Sequence, residues 1–473
     1  MSCRRRLYRL AAALAVGVAI VVATGASPAQ ARVTQAAQAT VSPGTQLWVG
    51  RYNDSSNDGF VATSVAVSPD GNEVYVTGSN NQGVTYKFVT VAYDASGHQL
   101  WATPFAVSGG DQPNKVAVSP DGKTVYVAGF SGSPSDADYV TIAYDAATGN
   151  QKWAHTYNGP ANGNDQAKGM AVNQSSGNVY ITGASQAAGA SYQFATIAYS
   201  PSGTKLWAQR FSDATPDTDS ANAIAVNSKT GVVYVSGQSD VNGTFQYATE
   251  AISSAGKKLW VKHYNGPGTG TDSAQAVAMS PATGDVFVTG VSWGGATGYD
   301  YATVGYSAGG KQLWAKRYAR AGGGTDFATS VAVNAAGSAV YVTGRSLATN
   351  GQYDYVTVAY SATGAKKWLK IYNGPAGVNA DDEAVGVAVN QSTGNVYVIG
   401  ESYNNNHIGY DYATIDYSPA GTTLWVSRYA ATSAINNRPH ALAINPVTGV
   451  VYVTGSSGNN SGEYDYATVA YAP

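Results

Sequence analysis

The sequence predicts an all-β fold, a single eight-bladed β-propeller of four-stranded antiparallel blades. Tryptophan recurs at positions 48, 101, 153, 207, 260, 314, 368 and 425, at intervals of 52 to 57 residues. Between successive tryptophans lie short alternating or β-branched segments that end at Gly, Pro, Asn, Asp or Ser, the pattern of strands and tight turns. Composition agrees. Charged residues make up only 12% of the 473 positions, while Gly (55) and Tyr (34) are in excess, as turns and half-buried strands require. Hydrophobic residues, at 44%, suffice for a large core and exclude a disordered chain.

The chain opens with Arg4, Arg5, Arg6 and Arg9, an apolar run from Leu10 to Val22, and the small-residue site Ala29-Gln30-Ala31. Residues 1–31 therefore read as a secretory signal peptide cleaved near Ala31. The apolar run is too short to cross a bilayer, so no membrane span is expected. Arg5-Arg6-Leu7-Tyr8 is similar to a twin-arginine export motif, although a basic leader generates such pairs by itself. The only cysteine, Cys3, leaves with this segment, which rules out disulfides and thiol chemistry in the mature protein. Removing residues 1–31 takes away four Arg and no acid, leaving 23 basic against 29 acidic side chains. That balance disfavours nucleic acid and anionic membranes as partners.

Residues 32–44 read as a flexible N-terminal segment, and 45–473 as the propeller. Each repeat has a first strand such as Ser64-Val65-Ala66-Val67, a turn such as Ser68-Pro69-Asp70-Gly71, and a second strand such as Val74-Tyr75-Val76-Thr77-Gly78. A third strand follows, as in Tyr353-Asp354-Tyr355-Val356-Thr357-Val358-Ala359-Tyr360, then a fourth around the tryptophan, as in Gln312-Leu313-Trp314. Such four-stranded units repeated eight times are the signature of a propeller. The chain begins with a lone fourth strand at Leu47–Tyr52 and ends on a third strand at Tyr464–Tyr471. The N-terminal strand is thus expected to complete the C-terminal blade and close the ring.

These repeats resemble the SBBP-type bacterial β-propeller repeat and the wider group of PQQ-like propeller repeats, over Trp48 to Tyr471. The quinoprotein motif, Ala-x-Asp-x-x-Thr-Gly with Trp four residues on, is matched in full by Ala143, Asp145, Thr148, Gly149 and Trp153. The preceding unit keeps Ala92, Asp94, Gly97 and Trp101 but is one residue shorter, and the following unit lacks the Asp. The resemblance implies a propeller and raises PQQ or calcium as cofactor, although the adjacent cysteines typical of eight-bladed quinoprotein dehydrogenases have no counterpart in the mature chain.

In a four-stranded meander the second-to-third and inter-blade connections share one face, and the sequence makes these the long, variable set, so a ligand is expected there. An Asp stands seven residues before the end of the first strand in six units: Asp111, Asp165, Asp219, Asp272, Asp326 and Asp382. Asn437 replaces it in the eighth unit and Phe60 in the first, with Asp58 nearby. This Asp ring either caps the inter-blade turns through backbone N–H groups or binds a cation. Residues that break the repeat form the candidate binding set: Trp293, Arg345, Glu401, Tyr403, His407, Arg438 and His440. Arg345 and Glu401 hold equivalent positions in successive units and suit a polar pair at the channel mouth. Trp293 suits either stacking on a sugar ring or an aromatic ligand, or plugging the channel.

No metal site is expected. None of His98, His155, His263, His407 and His440 has a partner at metal-ligand spacing, and Asp54–Gly59, which opens like a calcium loop, has Val65 in place of the closing Glu. No nucleophile elbow or phosphate loop is present, so no catalytic residue is assigned. The leading reading is an exported, non-enzymatic binding or interaction scaffold for an extracellular protein or glycan. It is expected to be secreted or kept in the cell envelope, monomeric and without a cofactor. The alternative is a PQQ- or calcium-dependent quinoprotein-like oxidoreductase, and a third reading is a channel-mouth lyase or hydrolase.

Overall fold

The structure is a computed structural model that describes residues 41–53, 59–82, 85–106, 110–133, 135–213, 218–322, 324–375, 380–404, 409–431, 436–459 and 462–473. His407, Asp58, the stretch 54–58 and the leader 1–31 lie outside the described residues. From Val41 onward the chain folds into eight four-stranded antiparallel sheets. Blades 1 to 8 have first strands Gly59–Val67, Gln112–Val118, Asp165–Val172, Ser220–Val226, Asp272–Met279, Asp326–Val333, Asp382–Val389 and Asn437–Ile444. Seven blades are continuous in sequence. The eighth is completed by Gln46–Tyr52, which pairs antiparallel with Tyr464–Tyr471 as the sequence predicted.

Within a blade, the second and third strands are covered on both faces, which is why they read as near-continuous Val, Ile, Tyr and Thr runs. In blade 6, for instance, Val340–Gly344 and Asp354–Tyr360 are buried throughout. The core lies between blades: Val125, Val127, Val140 and Ile142 of blade 2 pack on Tyr75, Phe88 and Ala92 of blade 1. In five blades the central Thr of the third strand meets a second-strand Thr at this depth, as in Thr343···Thr357 and Thr454···Thr468 at 2.9 Å, so these buried hydroxyls satisfy each other, whereas Thr141, Thr249 and Thr414 face Ala128, Ser236 and Ile399.

The recurrent tryptophans bind one blade to the next. Trp101 lies between Tyr75 of its own blade and Tyr144 of the following one, and its indole N–H donates to the Ala146 carbonyl at 2.9 Å. Beneath each indole sits the turn glycine of the next blade. At Gly310 (φ +82°) an added Cβ would come within 2.8 Å of the Trp260 ring. Residues 42–44, which the sequence assigned to the segment ahead of the propeller, form this turn in the closing blade. Gly44 lies against Trp425, and its N–H donates to the Ala472 carbonyl at 2.9 Å.

One expectation about the loops is corrected. The second-to-third connections are not uniformly long: Val241 hands over to Thr244 in a tight turn, because these strands extend beyond the sheet body. The length resides in the inter-blade connections, such as that from Tyr372 to Asp382.

Candidate functional site

Two places on the loop face and ring axis carry unusual chemistry. Each begins with a feature of the first strands. In all eight blades the pairing of the first and second strands skips one residue, a β-bulge: Thr63, Asn114, Lys168, Asn222, Gln275, Thr329, Val385 and His440 are the extra residues. Opposite each bulge the second strand carries the Gly of its Val-Tyr-Val-Thr-Gly motif. A Cβ on Gly400 would stand 2.1 Å from the Glu383 carbonyl oxygen, so no other residue fits there.

The bulges turn polar side chains inward and knit the ring. Thr63 Oγ1 donates to the Pro113 carbonyl (2.7 Å), Asn114 Nδ2 to that of Ala167 (2.6 Å), Asn222 Nδ2 to that of Ala274 (2.9 Å) and Thr329 Oγ1 to that of Ala384 (3.0 Å). Each bond crosses to the next blade. Together the first strands enclose a cavity of about 420 Å³, with Lys115, Asn222, Gln275, Ser330 and His440 in its wall. His440 retains exposed surface because it faces this cavity, yet the wall around the imidazole, and then the Arg438 charge, depress its pKa to about 4.

Above the bulges the Asp ring is occupied with local structure. Asp165 accepts from the backbone N–H groups of Gly159 (2.5 Å) and Gln186 (3.0 Å), and Asp272 from those of Gly266 (2.7 Å) and Trp293 (2.9 Å). Asp326 accepts from the Arg320 N–H (2.8 Å), Asp219 from the Asp240 N–H (3.1 Å), and Asp111 from the Ser131 hydroxyl. Burial pushes the carboxyls of Asp165 and Asp326 above the ordinary range, and that of Asp382 up to about 6. Asn437 takes a hydrogen bond from Ser457 (2.6 Å) in the equivalent place, and Phe60 fills it with a ring packed on Tyr52 and Tyr466.

The second place is a rim of charges and rings across blades 6, 7 and 8. Arg345 Nη1 meets Glu383 Oε2 at 2.6 Å, and Arg438 Nε meets Glu401 Oε2 at 3.2 Å. Glu383 and Glu401 are cross-strand partners, so the four charges run Arg345, Glu383, Glu401, Arg438 along the face. The Arg345 guanidinium also lies 4.8 Å from the Phe327 ring centre and 4.9 Å from that of Tyr353, and Arg438 lies 5.7 Å from Tyr410. Tyr403 stands edge-on to Tyr410 at 5.6 Å. Burial raises the Glu401 carboxyl, and Arg438 partly offsets that.

The structure thus brings Arg345, Glu401, Tyr403 and Arg438 together, with His440 two residues below Arg438 in the channel wall. The expected Arg345–Glu401 pair does not form. A second strand faces the first strand of the next blade, so each of these residues reaches Glu383 or Arg438 instead. Trp293 is in blade 5 and does not line the channel. Its ring packs edge-on against Tyr299 (4.9 Å) and over the inter-blade glycines Gly268 and Gly270. Sequence reasoning missed Glu383, Lys115 and Lys168. For Lys115 a signal exists: its column otherwise holds Ser64, Gly169, Ala223, Ala276, Ser330, Gly386 and Ala441.

The quinoprotein-like motif builds a turn. Asp145 Oδ1 accepts from the Thr148 hydroxyl (3.0 Å) and N–H (3.2 Å), and Gly149 underlies Trp101. A planar quinone needs aromatic faces, and calcium needs several oxygen ligands including carboxylates. Among the described residues the channel wall offers neither a Phe, Tyr or Trp ring nor an Asp or Glu, so it does not fit these groups.

Residues 29–250 match the family model of the outer membrane protein assembly factor BamB, which supports a PQQ-like β-propeller. No curated protein matches the sequence. Among solved structures, the chain is similar to Sqt1 of Chaetomium thermophilum bound to the N-terminus of the ribosomal protein L10, with TM-score 0.61, 11% identity, and 91% of this chain and 100% of that one covered. Sqt1 of Saccharomyces cerevisiae gives 0.56, 9%, 91% and 100%, and the quinohemoprotein alcohol dehydrogenase of Comamonas testosteroni 0.55, 14%, 90% and 76%. At such identities the likeness is one of fold.

Proposed function

We propose that this chain is an exported, non-enzymatic propeller of the SBBP subtype that binds a protein or glycan through the rim formed by blades 6 to 8. The carrying observation is the run Arg345, Glu383, Glu401, Arg438 with its flanking rings. Partly exposed ion pairs add only about 0–1 kcal/mol each to stability, so folding alone does not account for four such charges on three consecutive blades. Arginines beside Tyr and Phe are, by contrast, what binding surfaces enrich. That Sqt1, of the same fold, is bound to the N-terminus of a ribosomal protein supports a protein segment as one class of ligand.

A panel of glycans, cell-wall fragments and extended peptides tests the reading by comparing wild type with Arg345→Ala and Arg438→Ala. Both variants are expected to lose about tenfold or more in affinity, while Lys152→Ala, on the opposite face, keeps it. Equal binding by all four proteins would remove the proposed surface. Adding PQQ and Ca²⁺ to the purified protein addresses the oxidoreductase reading: a tightly bound chromophore with dye reduction would overturn the scaffold. Export is tested by sequencing the N-terminus of secreted protein, expected to begin at Arg32.

A further inference from the structure

We propose that the axial cavity is a binding site for a small oxyanion of the phosphate or sulfate type, held by Lys115. The argument begins with the column that Lys115 interrupts. In the other seven blades this position, directly after the bulge, is Ser, Gly or Ala, because eight first strands converging on one axis leave little room. Two of those small residues have defined work: Ser64 Oγ accepts from the Val116 N–H (3.2 Å) and Ser330 Oγ from the Val387 N–H (3.3 Å). A lysine there serves no packing purpose. Its side chain is exposed, yet the surface it exposes is that of the cavity, whose wall it forms.

The charge around it has no counterweight. No hydrogen-bond or ion-pair partner of Lys115 Nζ is found among the described residues, and the described wall contains no carboxylate. On the adjacent first strand Lys168 Nζ is held by neutral acceptors only, Ser220 Oγ at 2.8 Å and Asn222 Oδ1 at 3.1 Å. His440 is the other titratable group of the wall. The acids beyond the wall, along the same strand and at the rim, are already engaged. Asp111, about 13 Å up the same strand, takes the Ser131 hydroxyl, and Glu383 and Glu401 pair with Arg345 and Arg438 at the rim. Enclosure lowers the pKa of both Lys115 and Lys168, as expected of ammonium groups surrounded without an anion.

A compact anion answers each of these features. It supplies the missing counter-charge and accepts from the ammonium. Amide donors of the wall, such as Gln275, lie around the same space, and about 420 Å³ is ample for a hydrated phosphate.

Calorimetric titration of inorganic phosphate and of sulfate into the full chain tests the site, with sodium chloride at matched ionic strength as reference. Wild type is expected to show saturable binding with one ion per chain and a rise in melting midpoint that chloride does not reproduce. Lys115→Ser, which restores a residue native to this column, should keep the wild-type midpoint in the absence of oxyanion and lose at least about tenfold in affinity. The exposed Lys152→Ala should bind as wild type does. Absence of saturable binding by wild type, undiminished binding by Lys115→Ser, or equal effects of chloride would each overturn the site. None of these outcomes depends on the rim surface or its partner.

Discussion

At the residue scale, the positions that depart from the repeat are also those where chemistry opposes packing. Asp416 stands where the other third strands have Ala or Gly, as at Ala92, Ala143 and Gly305. It is buried, one oxygen accepts from Asn395 Nδ2 at 3.0 Å, and the other has no partner. Burial pushes its carboxyl from 3.8 up to about 7, and that of Glu250, on a third strand of blade 4, from 4.5 to about 7. The native state therefore keeps protons that the unfolded chain has lost between about pH 4 and 7, and stability falls as pH rises through that window. Asp416→Ala should gain about 2 kcal/mol at pH 8 and nothing below pH 4, flattening the profile seen in denaturant titrations at several pH values. A gain that is independent of pH would mean that ionisation is not the source of the cost.

At the element scale, the turn glycines and the bulges do different work. Gly310 needs both its left-handed backbone and the absence of a Cβ, since the Trp260 ring lies above it, whereas Gly351 (φ +84°) has open space around it. Alanine should cost about 1 kcal/mol at Gly351, from the backbone alone, and about 3 kcal/mol at Gly310, where the indole must also move. Thermal unfolding of the two variants separates these contributions; equal losses would show that the tryptophan yields freely. The strands and turns were legible in the sequence because each is a local pattern: Val-Tyr-Val-Thr-Gly alternates and ends, and Trp marks each fourth strand. The bulges were not, because one extra residue per first strand leaves the apolar pattern readable while shifting which side chains share a face. That is why Lys115, in the cavity wall, and Lys168, on the adjacent first strand, went unnoticed together. Arg345, Glu401 and Arg438 were found as departures from the repeat, but Glu383 follows the ring Asp directly and was hidden by it.

At the scale of the whole molecule, ring closure is one interrupted turn. In blades 1 to 7 the third strand passes to the fourth through a turn whose carbonyl receives the preceding tryptophan, as Ala95 receives Trp48 at 3.0 Å. In blade 8, Tyr471, Ala472 and Pro473 occupy the first half of that turn and Pro43, Gly44 and Thr45 the second. The bonds are the same: Ala472 N–H to the Thr45 carbonyl and Gly44 N–H to that of Ala472, both 2.9 Å, match Asp94 to His98 and Gly97 to Asp94. One link is missing, for the Trp425 indole N–H is buried without an acceptor. Two constructions follow from this. Deleting residues 41–52 removes the Arg51 bonds to Asp465 (2.7 Å) and Ser457 (2.9 Å), strips Trp48 from between Tyr452 and Tyr93, and bares the edge of Tyr464–Tyr471. Its melting midpoint should fall and its elution shift toward self-association. A circular permutant that joins Pro473 to Pro43 and opens between Asn350 and Gly351 completes the turn and offers Trp425 the Pro473 carbonyl, restoring a hydrogen bond whose absence costs about 1–3 kcal/mol. Scanning calorimetry should place its midpoint at or above that of the native order. A permutant that melts well below it, while the deletion melts as wild type, would show that the ring is held by the inter-blade faces alone and that its terminal strand is dispensable.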